Sequence, residues 1–156
     1  MRFLTFTVLL LFTTAAEAHE PSRSYLDLHA DGDRIKARLD MPLAELHHAI
    51  GLDVDGDGRI TWGEIEVSQT QIRDLAAAGA RISTLEGSCI AQQADLSLSD
   101  HDSGPFGVLQ WSVDCPKPSR VLLVDWALFQ DQNPQHQGII KFTNSADTIV
   151  QVANSG

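Results

Sequence analysis

An α+β domain is the fold the sequence predicts: a small, mostly antiparallel β-sandwich with a helix–loop–helix inserted after the first hairpin. Three observations carry this. Residues 24–40 alternate apolar and polar with period two across an Asp-Gly turn. Residues 42–78 switch to helical spacing on either side of an acidic, glycine-bearing loop. From Ala80 onward, short strand-like runs return, separated by turn signals.

The first 18 residues are read as a secretory signal rather than as part of the fold. Arg2 is a short positive region, and Phe3 to Phe12 is apolar apart from Thr5 and Thr7. Ala16-Glu17-Ala18 places small residues where signal peptidase reads them. Cleavage after Ala18 leaves residues 19–156 as a single exported domain; a cut after Ala16 is the alternative. No cysteine stands at the cleavage point, so no lipid anchor is expected. Nothing after Ala18 resembles a membrane span, which predicts a periplasmic or secreted protein with no direct membrane insertion. A chain of 156 residues is one domain by default. Its net charge of −10 disfavours nucleic acid and anionic membrane surfaces as partners.

The hairpin comes first. Tyr25, Leu26 and Leu28 lead into Ala30-Asp31-Gly32-Asp33, and Ile35, Ala37 and Leu39 then alternate with Lys36, Arg38 and Asp40. A helix follows over 42–51, with Pro42 in its first turn, Leu43, Leu46 and Ile50 on one face, and Gly51 as its stop. A second helix is expected from about Thr61 to Ala78, striped by Ile65, Ile72, Leu75 and Ala76 and ended by Gly79. The remaining strands are placed at 80–85, 89–98, 106–114, 119–129, 137–143 and 147–152. Val121-Leu122-Leu123-Val124 is a continuous apolar run, as a central strand requires. Cys89 and Cys115, an even pair in an exported chain, read as a disulfide. A two-thiol metal site is the alternative, and the spacing matches no zinc pattern.

Between the helices runs Asp53-Val54-Asp55-Gly56-Asp57-Gly58-Arg59-Ile60-Thr61-Trp62-Gly63-Glu64. Every functional position of a twelve-residue EF-hand loop is filled. Asp53, Asp55 and Asp57 offer carboxylate oxygens from positions 1, 3 and 5. Gly58 permits the sharp turn at position 6. Arg59 offers its backbone carbonyl, Thr61 acts through a water, and Glu64 supplies two oxygens from position 12. Ile60 is the apolar residue that packs the loop. Calcium wants six to eight oxygens in flexible geometry, and four carboxylates crowded in one loop repel one another until a cation joins them. Ca2+ is therefore the expected ligand. Sensor EF-hands come in pairs, and no second loop is found. Asp100-His101-Asp102-Ser103-Gly104 starts like one, but its twelfth position is Trp111, so it reads as a hairpin turn. A lone site points to a structural ion.

Other constellations are weaker. His19, as a mature N-terminus, pairs an imidazole with an α-amine and could hold copper or nickel, which is the alternative function: a transition-metal handling protein. His47 and His48 are read as surface residues, His136 as an exposed loop residue, and Trp62, Trp111 and Trp126 as core or boundary residues. No nucleophile elbow and no spare carboxylate pair appears, so a non-enzymatic protein is expected.

Together, His19-Glu20-Pro21-Ser22-Arg23-Ser24-Tyr25-Leu26, the Leu52 to Glu64 loop, the two cysteines and Pro134-Gln135-His136-Gln137-Gly138 resemble the extracytoplasmic N-terminal region of HupE/UreJ-like membrane proteins. Those are hydrogenase or urease accessory proteins linked to nickel uptake. The resemblance covers nearly all of residues 19–156. The family's membrane helices, with their nickel-associated histidine motif, have no counterpart here, so nickel transport does not carry over. The resemblance does imply a partner, a membrane protein of the HupE/UreJ type.

Overall fold

The computed structural model describes residues 21–31, 34–116 and 121–154. The expected signal segment, His19, and the Gly32-Asp33 and Lys117-Pro118 turn residues lie outside these.

β1 (Arg23–Asp31) and β2 (Arg34–Pro42) form the expected hairpin, paired from Tyr25↔Asp40 to Asp31↔Arg34. Alternation sends Leu26 and Leu28 to the same face as Ile35, Ala37, Leu39 and Met41, and all six are buried. Pro42, its φ at −56°, turns the chain into α1 (Leu43–Ile50), which buries Leu43 and Leu46. Gly51 ends that helix in the left-handed region, its N–H donating to the His47 carbonyl at 2.8 Å.

The second helix is not continuous. It divides into α2 (Trp62–Val67) and α3 (Gln69–Gly79) at Ser68, whose ψ of 1° leaves the helical range. Serine is a weak helix interior residue because its hydroxyl competes for the backbone. The break lets Ile65 of α2 and Ile72 and Ala76 of α3 all reach the core.

β3 (Ala80–Thr84) follows as expected. A short β4 (Gly87–Ser88) comes next, and the strand expected at 89–98 is instead two pieces, β5 (Ile90–Ala91) and β6 (Asp95–His101). β7 (Gly104–Asp114), β8 (Leu122–Trp126), β9 (Gln137–Thr143) and β10 (Thr148–Asn154) complete the chain. Asp102 and Ser103 form the β6–β7 hairpin turn, with His101 paired to Gly104.

The fold is α+β, but it is not a sandwich of two comparable sheets. One large mixed sheet runs β10-β9-β1-β2-β7, with β5 and β6 both on the far side of β7; a small antiparallel sheet runs β4-β3-β8. Pairing is antiparallel throughout except for β1 with β9. That parallel pair exists because the loop after Phe129 brings the start of β9 to the start of β1. There Gln137 N–H donates to the Ser22 carbonyl at 2.9 Å. Along the β7 edge, residues 92–94 stand opposite only 111 and 112, a one-residue bulge between β5 and β6.

The Val121–Val124 run is likewise not a central strand. β8 lies at the end of the small sheet, with Leu122 and Val124 half-buried and Val121 and Leu123 exposed. One core joins both sheets and the helices through Leu26, Leu39, Leu46, Ile72, Ile82 and Trp126. The disulfide expected between Cys89 and Cys115 is present and ties the β4–β5 junction to the end of β7. On the opposite face of the large sheet, the buried Asp40 carboxylate accepts from Arg38 at 2.7 and 2.8 Å and meets His101 Nε2 at 2.9 Å, so its charge is fully partnered. No helix among the described residues is long and apolar enough to cross a membrane.

Gly138 on β9 lies under the Trp126 ring: a Cβ there would sit 2.6 Å from Cζ2. Gly138→Ala is expected to lower stability by about 1–3 kcal/mol through overpacking. Urea denaturation measures this, and an unshifted midpoint would mean the ring can move aside freely.

Candidate metal centre

The loop begins and ends on buried anchors. Leu52, just before it, and Ile65, just after Glu64, are both within 1% of full burial. Ile60 is half-buried and packs against the same core, so it faces this domain rather than a second loop. Between these points the residues are mostly exposed and the backbone is shaped by carboxylates.

Asp53 does most of the shaping. Its carboxylate accepts N–H bonds from Gly56 at 2.8 Å, Asp57 at 3.1 Å and Gly58 at 2.9 Å. Asp55 accepts from the Asp57 N–H at 3.1 Å, and Asp57 from the Arg59 N–H at 2.8 Å. The chain curls around these acceptors, which requires left-handed turns at Gly56 (φ 74°) and Gly58 (φ 80°). Nothing lies within 4 Å of a Cβ at either glycine, so the demand is on the backbone angle and not on space. The curl brings oxygens of Asp53, Asp55 and Asp57 within 4.8 Å of one another. No lysine or arginine among the described residues is ion-paired with any of the three.

Glu64 closes the loop from the other end. One carboxylate oxygen accepts the Val54 N–H at 2.8 Å; the other accepts the Thr61 N–H at 2.7 Å and its hydroxyl at 2.8 Å. Thr61 caps α2 in return, accepting the Glu64 N–H at 3.4 Å, so the pair is a capping box. These donors favour the ionised form. The Thr61 N–H and hydroxyl, then the Val54 N–H, hold Glu64 down to a pKa of about 2. Its charge is thus available at any ordinary pH.

The three aspartates therefore converge, while the Glu64 carboxylate stands outside that group, on the Val54 and Thr61 donors. Arg59 and Thr61 occupy their expected places in the chain, both exposed. Two contributors escape a sequence reading. Gly56 adopts the same left-handed turn as Gly58, and its signal was its place two residues earlier in an acidic loop. His47 is more than a surface residue: its Nδ1 accepts the Asp53 N–H at 3.3 Å, tying α1 to the loop entrance across a spacing that no periodicity marks. Trp62 is exposed, two residues before Glu64.

The chain matches no protein-family model and no curated protein.

Proposed function

We propose that residues 53–64 bind one calcium ion as an EF-hand loop, and that the ion stabilises an exported, non-enzymatic domain. The observation that carries this reading is the convergence of the Asp53, Asp55 and Asp57 carboxylates within 4.8 Å, with no lysine or arginine among the described residues ion-paired to them. Such a cluster favours a divalent cation, because three like charges at that range repel. In this reading Asp53, Asp55 and Asp57 give carboxylate oxygens, Arg59 its carbonyl, Thr61 a water-mediated contact, and Glu64 its ionised carboxylate. Oxygen donors alone suit a hard cation, and six to eight of them suit calcium over magnesium. The ion would join the end of α1 to the start of α2, which explains why its role is stability. Leu52 and Ile65 already carry both loop ends into the core.

Calorimetric titration of the purified protein with calcium tests this. One site is expected, with a Kd of about 10⁻⁴–10⁻³ M, as lone extracytoplasmic modules have. Glu64→Gln is expected to weaken it at least tenfold. At about 5 mM calcium the gain in stability is then about 1–2 kcal/mol, or several degrees in Tm. Equal melting temperatures in calcium and in chelator would sink the reading. Nickel and copper in the same titration address the transition-metal alternative: heat from either, lost in a His19→Ala variant, would support that function instead.

A further inference from the structure

A cavity of about 530 Å³ lies between α3, the small sheet and the β5–β6 edge of the large sheet. α3 contributes Arg73, Ala76 and Ala77, and β7 contributes Leu109, Trp111 and Val113. The space exists for two reasons visible in the chain. Small alanine side chains leave the space unfilled, Ala76 and Ala77 on α3 and Ala91 and Ala94 across the gap. The bulge at residues 92–94 also bends this edge of the sheet. The volume lies within the range of small-molecule sites and equals that of roughly 18 waters, which would meet mainly apolar walls. Exposed Gln92, Gln93 and Asp125 mark its mouth.

Two arginines border the cavity, and they differ. Arg81 is taken up by Asp125 at 2.6 Å, an exposed ion pair at the rim. Arg73 is half-buried; its Nε donates to the Ala94 carbonyl at 3.1 Å, and no carboxylate among the described residues pairs with it. Its position is fixed while its charge is left for an incoming group. A chain of net charge −10 repels polyanions, so a ligand bearing a single carboxylate on an apolar body fits best.

We propose that this cavity binds a small apolar carboxylic acid, its hydrocarbon body against Leu109, Trp111 and the alanines and its carboxylate on Arg73. The site is separate from the acidic loop and does not depend on calcium. Octanoate and 1-octanol, alike in body and different in charge, are the probes, titrated calorimetrically into the purified protein. Octanoate is expected to bind at least tenfold more tightly than octanol. Arg73→Met should erase that difference. Ala77→Trp at the exposed rim, and independently Ala91→Trp, should weaken both probes at least tenfold in a protein that melts normally. No octanoate binding below about 1 mM, equal binding of the two probes, or octanoate binding that both tryptophan variants leave intact would each overturn the proposal.

Discussion

Replacing Cys89 and Cys115 together by serine is expected to cost the domain about 3 kcal/mol. The bridge spans a sequence separation of 26 residues, and closing a loop of that size removes about this much chain entropy from the unfolded state. Cys89 sits at the junction of β4 and β5, and its N–H donates to the Ile82 carbonyl at 3.1 Å; Cys115 follows the last residue of β7. The bridge is therefore a direct covalent link between the small sheet and the large one. The fall in Tm should be about 10 °C for a domain of this size. In urea the reduced protein should also show a steeper transition, because its unfolded chain is less constrained. An unchanged midpoint after full reduction would rule out a stabilising bridge.

What could be read from the residues divides along a physical line, the distance along the chain over which a signal acts. The hairpin at 24–40 was legible because alternation is a local property of a half-buried strand. The acidic loop was legible for the same reason, since the three aspartates that converge lie two residues apart along one short stretch of chain. Partners across the chain were not legible. Period two says that β1 has an inner face; it says nothing of whether β9 joins it parallel or antiparallel. The Val121–Val124 run marked a strand correctly but misplaced it, because apolar content does not distinguish the middle of a large sheet from the end of a small one. Asp40, Arg38 and His101 form a satisfied polar cluster from two strands far apart in sequence, and the cavity beside Arg73 draws on α3 and on strands β3, β4, β5, β7 and β8. Neither leaves a local trace. Two segments far apart in the chain also meet without a local trace, the start of β1 and the loop before β9. His136 of one meets Ser22 and Ser24 of the other.

That contact makes His136 the source of an expected acid sensitivity between pH 6.5 and 4. The Asn-Pro turn signal placed it correctly in a loop, but its side chain is completely buried rather than exposed. Nδ1 lies 3.2 Å from the Ser22 hydroxyl and Nε2 3.0 Å from that of Ser24, with the Phe129 ring edge-on at 4.9 Å. Burial disfavours the imidazolium and pushes the pKa from 6.5 down to about 4; the nearby Glu45 charge opposes this only in part. Within that window the unfolded chain holds a proton that the folded chain excludes, so stability rises with pH. The contribution is fully present above pH 6.5 and is lost as the pH falls to about 4, below which both states are protonated. The full shift corresponds to about 3 kcal/mol, and relaxation and screening around the new charge reduce the expected loss to about 2 kcal/mol. Glu64 acts in the same direction but lower, its contribution disappearing from about pH 4.5 down to about 2, so the two are separable. Urea midpoints at pH 7, 6, 5 and 4.5 measure the first window alone. His136→Gln should be less stable at pH 7, because it disturbs the Ser22 and Ser24 contacts, yet it should lose little more on acidification to pH 4.5. A variant that follows the parent protein down that slope would place the proton uptake on another group.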